Sequence, residues 1–327
     1  MKPVFCVIIA AVFGFVCPAA AHHSAAMFDL EAVVTFQGTV TQFEWANPHV
    51  YIHVEVADAT GQVIQWEIEG ASTPLMMRSG WTATTLAAGE IVTARVNPAR
   101  GTERTHARLV SLVTSDGAVL TPRSRGNEST VRATNIAGTW DGIRAFAARS
   151  LAMPVPTAAG AVRQAAYTNA DDPTAQCVAL VAPFFATVPY LYEIEILDDR
   201  ILLRSEFYGS ERTVFMDGRG HPENTERTLQ GHSIGWWEGE ALIVDTLHFS
   251  DLRNGNLFGI PSGAQKHVIE RYQLSEDETR LLINFVLEDP EYLAEPFEGD
   301  FYWDFSPATE MLPFTCDLEN AQRYILE

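Results

Sequence analysis

The 327-residue sequence has few basic residues and, after its N-terminal segment, no apolar run long enough to cross a bilayer. Lysine and arginine number 22 against 42 acidic residues, which gives a formal net charge of −20. Such a charge repels phosphate backbones and no basic stripe offsets it, so nucleic acid and anionic membranes are not expected as partners. The acidic residues are dispersed, which is typical of a solvated surface.

Several enzyme motifs are also missing from the chain. There is no H-E-x-x-H zinc motif, no P-loop, and no G-x-G-x-x-G between a strand and a helix. These absences remove the most direct sequence evidence for a zinc protease, a nucleotide hydrolase or a dinucleotide enzyme.

The first 21 residues stand apart from the rest of the chain. A basic start is followed by an apolar stretch from Val4 to Val16 and by small residues up to Ala21. This pattern predicts a signal peptide, residues 1–21, that is cut after Ala21. We therefore expect export to the periplasm or beyond, a soluble processed chain without an integral membrane segment, and a new N-terminus at His22.

Only four cysteines are present, and Cys6 and Cys17 leave with the signal peptide. The remaining pair, Cys177 and Cys316, lacks the C-x-x-C spacing of redox-active dithiols. An isolated pair in an oxidising compartment predicts one structural disulfide, worth about 4 kcal/mol on the chain-entropy estimate.

The segment 22–120 has the pattern of a small all-β domain. Its short alternating runs are separated by turn residues, and a helical turn near residues 73–79 interrupts them. About five strands with one intervening helix favour an OB-like Greek-key barrel over a sandwich. Residues 121–135 are polar and aperiodic, which predicts a linker.

The segment 136–327 has the pattern of a larger β-barrel with few short helices. Strand-like runs joined by tight turns are typical of an up-and-down barrel, and small barrels can hold one small ligand inside. The runs are Tyr192–Leu197, Ile201–Tyr208, Thr213–Met216, Ser233–Trp237, Ala241–Phe249, His267–Leu274, Leu281–Leu287 and Phe301–Phe305. The chain as a whole is therefore predicted to be all-β.

The first domain resembles the N-terminal domain of an uncharacterised family of exported bacterial proteins. The resemblance rests on motifs spread over about a hundred residues, among them His22-His23-Ser24, Trp45-Ala46-Asn47-Pro48-His49 and Trp66-Glu67-Ile68-Glu69-Gly70. The family carries no established activity, so the resemblance implies none for this chain.

The second domain is similar to another uncharacterised exported family, and its opening Gly138-Thr139-Trp140 resembles the entrance of lipocalin-like barrels. The motifs include Gly231-His232-Ser233-Ile234-Gly235, Trp237-Glu238-Gly239 and Val244-Asp245-Thr246. Trp236 stands where the resemblance leads us to expect a basic residue before Trp-Glu-Gly, which makes the local surface more apolar.

Polar side chains at alternate strand positions mark a candidate site in the second domain. Each of four polar residues lies two positions from an apolar residue of the same strand, so the two side chains point to the same face. The four are His232, Asp245, His267 and Arg271. If these rows face the barrel interior, together with Tyr208, they form an apolar pocket with few convergent polar groups, the usual form of a small-molecule site. Trp236 and Glu270 are further candidate ligand-binding residues.

These residues predict a protein that binds a hydrophobic small molecule and transforms it by acid–base chemistry, as an isomerase, cyclase or hydrolase does. A histidine, His232 or His267, acts as base or acid, Asp245 orients it, and Arg271 stabilises developing negative charge. No cofactor is required. Binding without turnover and a purely structural role for the polar pairs are the alternatives.

Copper binding is a second hypothesis, and it belongs to the first domain. His49, Tyr51 and His53 share one strand face, and a processed N-terminus at His22 followed by His23 adds nitrogen ligands of the kind that Cu(II) favours. The predicted metal ligands are His22, His23 and His49. One alternative is that His49 forms hydrogen bonds within the Asn-Pro-His turn and that His22 and His23 belong to a tail that binds no metal. Another alternative is that the protein is an envelope scaffold without enzymatic activity.

Overall fold

The computed structural model describes residues 27–58, 60–101, 105–124, 126, 128–148 and 151–324. The predicted signal peptide and the candidate ligands His22 and His23 lie outside these residues. Within the described part the chain is all-β, with fifteen strands and four short α-helices. The strands form two barrels, as predicted. No helix in the described part has the length and apolar character needed to span a membrane.

The first barrel has the strand order β3-β2-β1-β4-β5, and a parallel pairing of β3 with β5 closes it. The helix α1, Thr73–Met77, lies between β3 and β4, and the short strand β6, Val119–Leu120, extends the sheet beyond β5. This is the OB-like Greek-key arrangement that the sequence predicted. Its five strands are β1 Val34–Glu44, β2 Tyr51–Ala57, β3 Val63–Glu69, β4 Ile91–Pro98 and β5 His106–Val113.

The second barrel is a closed sheet of nine strands in the order β10-β11-β12-β13-β14-β15-β7-β8-β9. Eight of them correspond to the predicted runs, and the short β7 is the ninth. Neighbours are antiparallel except β10 and β11, which run parallel and so depart from a pure up-and-down barrel. The strands are β7 Gly138–Asp141, β8 Leu191–Ile196, β9 Arg200–Ser205, β10 Ser210–Phe215, β11 His232–Glu238, β12 Ala241–Leu247, β13 His267–Leu274, β14 Arg280–Glu288 and β15 Phe297–Phe305.

The interior of this barrel is filled by large side chains, some of them charged. Tyr192 stacks on Trp303 with ring centroids 4.0 Å apart, and both rings are buried. Arg212 and Glu270 form an ion pair at 2.7 Å with both side chains 0% exposed. Tyr272 also donates a hydrogen bond to Glu270, at 2.9 Å. Because a buried charge is costly unless paired, the Arg212 and Glu270 charges compensate each other inside the barrel.

The C-terminal segment joins the two barrels. Cys316 forms the predicted disulfide with Cys177, with the Cα atoms 5.8 Å apart. The helix α4, Leu318–Gln322, follows at once, and the Asn320 side chain bonds the backbone of His49 in the first barrel. The two other helices are α2 Ile143–Ala148 and α3 Ala158–Ala165.

Candidate functional site

The polar rows, whose facing the sequence left open, point to the outside of the barrel. On β13, Val268 and Glu270 are buried inside the barrel, so His267, Ile269 and Arg271 lie on the outer face. Side chains alternate in the same way on β11 and β12. Ser233 and Thr246 point inward, so their neighbours His232 and Asp245 point outward. The candidate site of the second barrel is therefore on its outer wall.

Three of the predicted residues come together there with a fourth that the sequence analysis did not select. His267 Nε2 lies 2.9 Å from Asp245 Oδ1, and His221 Nε2 lies 3.3 Å from the same oxygen. His221 Nδ1 in turn lies 3.0 Å from His232 Nδ1. We call His221, His232, Asp245 and His267 the imidazole–carboxylate cluster.

The parallel pairing of β10 and β11 explains how His221 reaches this cluster. Because both strands run in the same direction, residues 216–231 must return along the barrel wall, and His221 lies on this connection. The connection ends at Gly231, whose φ is +71°, and a Cβ there would lie 2.6 Å from the Leu247 carbonyl oxygen. Glycine thus allows the close approach that sets His232 beside β12.

A fourth imidazole borders the cluster. His248 follows β12 in a left-handed backbone conformation, with φ 59°, which is uncommon for a residue with a side chain. Its ring centroid lies 6.0 Å from that of His221 and 6.4 Å from that of His232. Uncommon backbone conformations of this kind concentrate at functional sites.

The cluster combines histidines of opposite titration behaviour. The hydrogen bond to Asp245 raises the pKa of His267 above its ordinary value. Partial burial lowers the pKa of His221, despite the nearby carboxylate, and partial burial also lowers the pKa of His232. Burial alone would raise the pKa of Asp245, but the hydrogen bond and charge of His267 outweigh it and lower that pKa. Near neutral pH this favours a protonated His267 next to two neutral imidazoles.

These protonation states fix the tautomers. With Asp245 ionised and His221 neutral, His221 donates from Nε2 to the carboxylate, so its Nδ1 carries a lone pair. His232 must then donate from Nδ1 to that lone pair, which leaves His232 Nε2 as a basic nitrogen. The chain Asp245, His221, His232 is thus oriented as a carboxylate-supported base, with His267 as a neighbouring acid.

A groove of about 450 Å³ adjoins the cluster on the same outer face. Ile269, which pairs with Asp245 in the strand ladder, forms part of its floor together with Val286, and Ile269 is 38% exposed. The polar side chains around this apolar floor are Arg271, Asn284, Glu298 and Asp300. The groove has the volume of a small-molecule site, with an apolar base and a rim of four polar or charged side chains.

The other predicted residues lie outside the cluster. Arg271 lines the groove and pairs with Glu238 at 3.1 Å, so it does not contact the imidazoles. Trp236 is 40% exposed on the outer face of β11, where it is opposite Ile243. Tyr208 packs against Phe207 and Phe314, and its hydroxyl donates to the Thr174 carbonyl.

Glu270, like Tyr208 and Trp236, does not line the groove. Its carboxylate is 0% exposed and is held by Arg212 and Tyr272 inside the barrel, so it does not reach the groove. The sequence placed it one residue from Arg271, and strand alternation sends the two side chains to opposite faces.

The letters Gly231-His232-Ser233-Ile234-Gly235 match the G-x-S-x-G pattern of serine hydrolases, but the structural context differs. Ser233 is the second residue of β11, is buried, and contacts Thr246 Oγ1 at 2.9 Å. A nucleophile elbow instead places its serine at a sharp turn between a strand and a helix. Ser233 is therefore a packing residue of the core.

The predicted metal ligand His49 lies in the first barrel, beside Glu69, whose Oε1 is 3.3 Å from its Nδ1. His53 faces different partners, Glu44 at 2.7 Å and Glu67 at 3.6 Å. Among the described residues, no group of three or more His, Cys, Asp or Glu side chains is arranged to hold a metal ion.

Comparison with known proteins adds one partial match. Residues 11–108 match the model of a family described as a family of unknown function (DUF6152). The match covers the N-terminal segment and most of the first barrel, so it does not include the imidazole–carboxylate cluster. Neither a curated protein nor a solved structure matches the chain.

Proposed function

We propose that the protein binds a small apolar molecule in the outer groove of the second barrel and transforms it by acid–base chemistry. The observation that carries the proposal is the shared position of Asp245 between His221 and His267, beside a groove with an apolar floor. In this proposal Ile269 and Val286 contact the apolar body of the ligand, and Ile269 is also the ladder partner of Asp245, which belongs to the cluster.

The chemistry that fits this arrangement is proton transfer. His232 removes a proton through Nε2, His221 and Asp245 stabilise the charge that develops on it, and His267 supplies a proton to the product. Isomerisation, cyclisation and hydrolysis each need such a pair of groups. The rate should rise as His221 and His232 lose their protons, below pH 6.5, and fall as His267 loses its proton, above pH 6.5.

We also propose that the protein works in the periplasm or outside the cell. The signal-peptide pattern of residues 1–21 supports this location, and the disulfide between Cys177 and Cys316 is compatible with it, because disulfides persist in oxidising compartments.

The test starts from protein purified from its exporting host. Native mass spectrometry identifies any small molecule that copurifies, and NMR in D₂O then follows proton exchange on that molecule in the presence of the protein. His232→Ala should lower the exchange rate by about 10²-fold or more. An unchanged rate in both His232→Ala and His267→Ala contradicts the proposed chemistry.

Binding is tested separately with Nile red, a neutral apolar dye whose fluorescence rises in apolar surroundings. Replacing the floor residues, Ile269→Asp and Val286→Asp, should weaken dye binding at least tenfold. Leu282→Asp is the matched control, because Leu282 is 41% exposed on the same strand as Val286 but does not line the groove.

A further inference from the structure

The strand register of the second barrel aligns the groove with the imidazole–carboxylate cluster. Asp245 lies opposite Ile269 in the strand ladder, and Ile269 lies opposite Val286. Val286 in turn lies opposite Glu298 on β15. The four residues therefore form one row across β12 to β15 on the outer face of the barrel. This row has a carboxylate at each end and two apolar side chains between them.

The two carboxylates at the ends of the row differ in their surroundings. Three strand spacings separate Asp245 from Glu298, which is about 14 Å along the barrel wall. Asp245 is held by His221 and His267. Glu298 is exposed, and its carboxylate makes no ion pair or hydrogen bond with any residue that the structure describes. A ligand can therefore pair with Glu298 without displacing another side chain.

A second row runs beside the first and adds another carboxylate. Arg271 lies opposite Asn284, and Asn284 lies opposite Asp300. The Arg271 guanidinium donates to Glu238 at 3.1 Å, so its charge is already compensated. Asp300, like Glu298, is exposed and makes no ion pair within the described part of the chain. The β15 side of the groove therefore presents two negative charges that no described cation compensates.

Building on the proposed function, we propose that the ligand of the groove is an apolar molecule with an ammonium group at one end. The apolar body covers Ile269 and Val286, the ammonium group lies against Glu298 and Asp300, and the other end of the ligand meets the cluster at Asp245. The net charge of −20 attracts such a ligand and repels an anionic one. Arg271 is the one cationic side chain among the described residues that line the groove, and its pairing with Glu238 disfavours an anionic ligand further.

The first test compares two probes that share an octyl chain and differ in charge, n-octylammonium and octyl sulfate. Isothermal titration calorimetry on the full processed chain at low ionic strength measures both affinities. The wild type should bind n-octylammonium at least about tenfold more tightly than octyl sulfate. Glu298→Gln combined with Asp300→Asn should reduce this ratio at least about fivefold, because each exposed ion pair contributes modestly.

The matched control removes two other exposed carboxylates, with Glu276→Gln and Glu295→Gln in one chain. Both residues lie outside the groove, so the ratio should stay within about twofold of the wild type although the net charge changes equally. Equal affinity of the wild type for the two probes, or an equal fall of the ratio in both double variants, overturns the proposal. If Nile red binding still depends on Ile269 in that case, only the cationic ligand is refuted. Nile red binding that is independent of Ile269 overturns the proposed function as well.

The second test determines the orientation of the ligand and needs no substitution. An octylammonium probe that carries a nitroxide at its cationic end is added to the wild-type chain, and broadening of the backbone amide signals is followed by NMR. The signals of Glu298 and Asp300 should broaden before those of His221 and Asp245. Broadening that begins at His221 and Asp245 overturns the proposal.

Discussion

His267 Nε2 lies 2.9 Å from Asp245 Oδ1, and the two residues come from neighbouring strands of the second barrel. The carboxylate stabilises the protonated imidazole, so Asp245→Asn should lower the pKa of His267, while Glu288 still favours the protonated form. NMR of the imidazole nitrogens measures this pKa directly. Asp300→Asn is the control, since Asp300 lies on the same outer face but lines the groove instead. A His267 pKa that does not move in Asp245→Asn contradicts the account.

Lys266 is the only lysine in the described residues, and it is 0% exposed. Burial lowers its pKa to about 7, well below the value of about 10.4 in an unfolded chain. Between these pH values the unfolded chain binds a proton that the folded chain does not, so stability should rise as the pH rises from about 7 to 10. Lys266→Met loses the hydrogen bond to the Gly255 carbonyl at every pH but removes the buried charge, so it should favour folding by at least about 1 kcal/mol more at pH 6.5 than at pH 10.

Urea unfolding at the two pH values measures this difference. If Lys266→Met changed the free energy of unfolding equally at both pH values, the account would be contradicted. Burial would then not disfavour the ammonium charge of Lys266. Amine-reactive labelling gives an independent check, because the native protein should not be modified at Lys266 while the unfolded protein should be.

The ion pair of Arg212 and Glu270 predicts a large effect on stability with no direct effect on the groove. Arg212→Met leaves a buried carboxylate without its cation and should lower the free energy of unfolding by about 3–5 kcal/mol. The double variant Arg212→Met with Glu270→Leu should recover much of this loss. Urea unfolding measures both.

Arg204→Met provides the matched control for that substitution. Arg204 also pairs with carboxylates, Glu193 and Glu211 among them, but it is 30% exposed. Its loss should cost about 1 kcal/mol or less, since solvent screens the pairs. Equal costs for Arg204→Met and Arg212→Met would contradict the burial argument.

The disulfide between Cys177 and Cys316 closes a loop with a sequence separation of 139 residues. Replacing both cysteines with serine should lower the free energy of unfolding by about 4–5 kcal/mol on the chain-entropy estimate. Urea unfolding with and without a reductant checks this. The reductant should destabilise the wild type and leave the double serine variant unchanged, and a wild type insensitive to reductant would argue against the bond.

The architecture could be predicted from the sequence because its determinants are local. Alternating apolar residues and turn residues such as Glu238-Gly239-Glu240 mark each strand end. The isolated pair Cys177 and Cys316 indicated the disulfide for a similarly simple reason. Both features are independent of how the barrels close.

The facing of the strands could not be predicted, because both faces of β12 and β13 mix apolar and polar residues. Alternation shows that Glu270 and Arg271 point to opposite sides, but not that the charged Glu270 is the inner one. That choice depends on Arg212, which approaches Glu270 from β10, 58 residues earlier in the chain.

His221 was missed for a related reason. In the sequence His221-Pro222-Glu223 has the character of a loop, and only the parallel pairing of β10 with β11 brings it to Asp245. When two parallel strands are joined by such a long connection, no local pattern in the sequence indicates that they pair. The cluster thus depends on a long-range contact that the topology supplies.

The central claim, that the groove and the imidazole–carboxylate cluster form one site, is tested most directly by histidine NMR during a titration with Nile red. Dye bound over Ile269 should shift the imidazole signals of His267 and His232 in the wild type, and the shifts should vanish in Ile269→Asp. Dye binding that leaves both imidazoles unshifted in the wild type would contradict the claim.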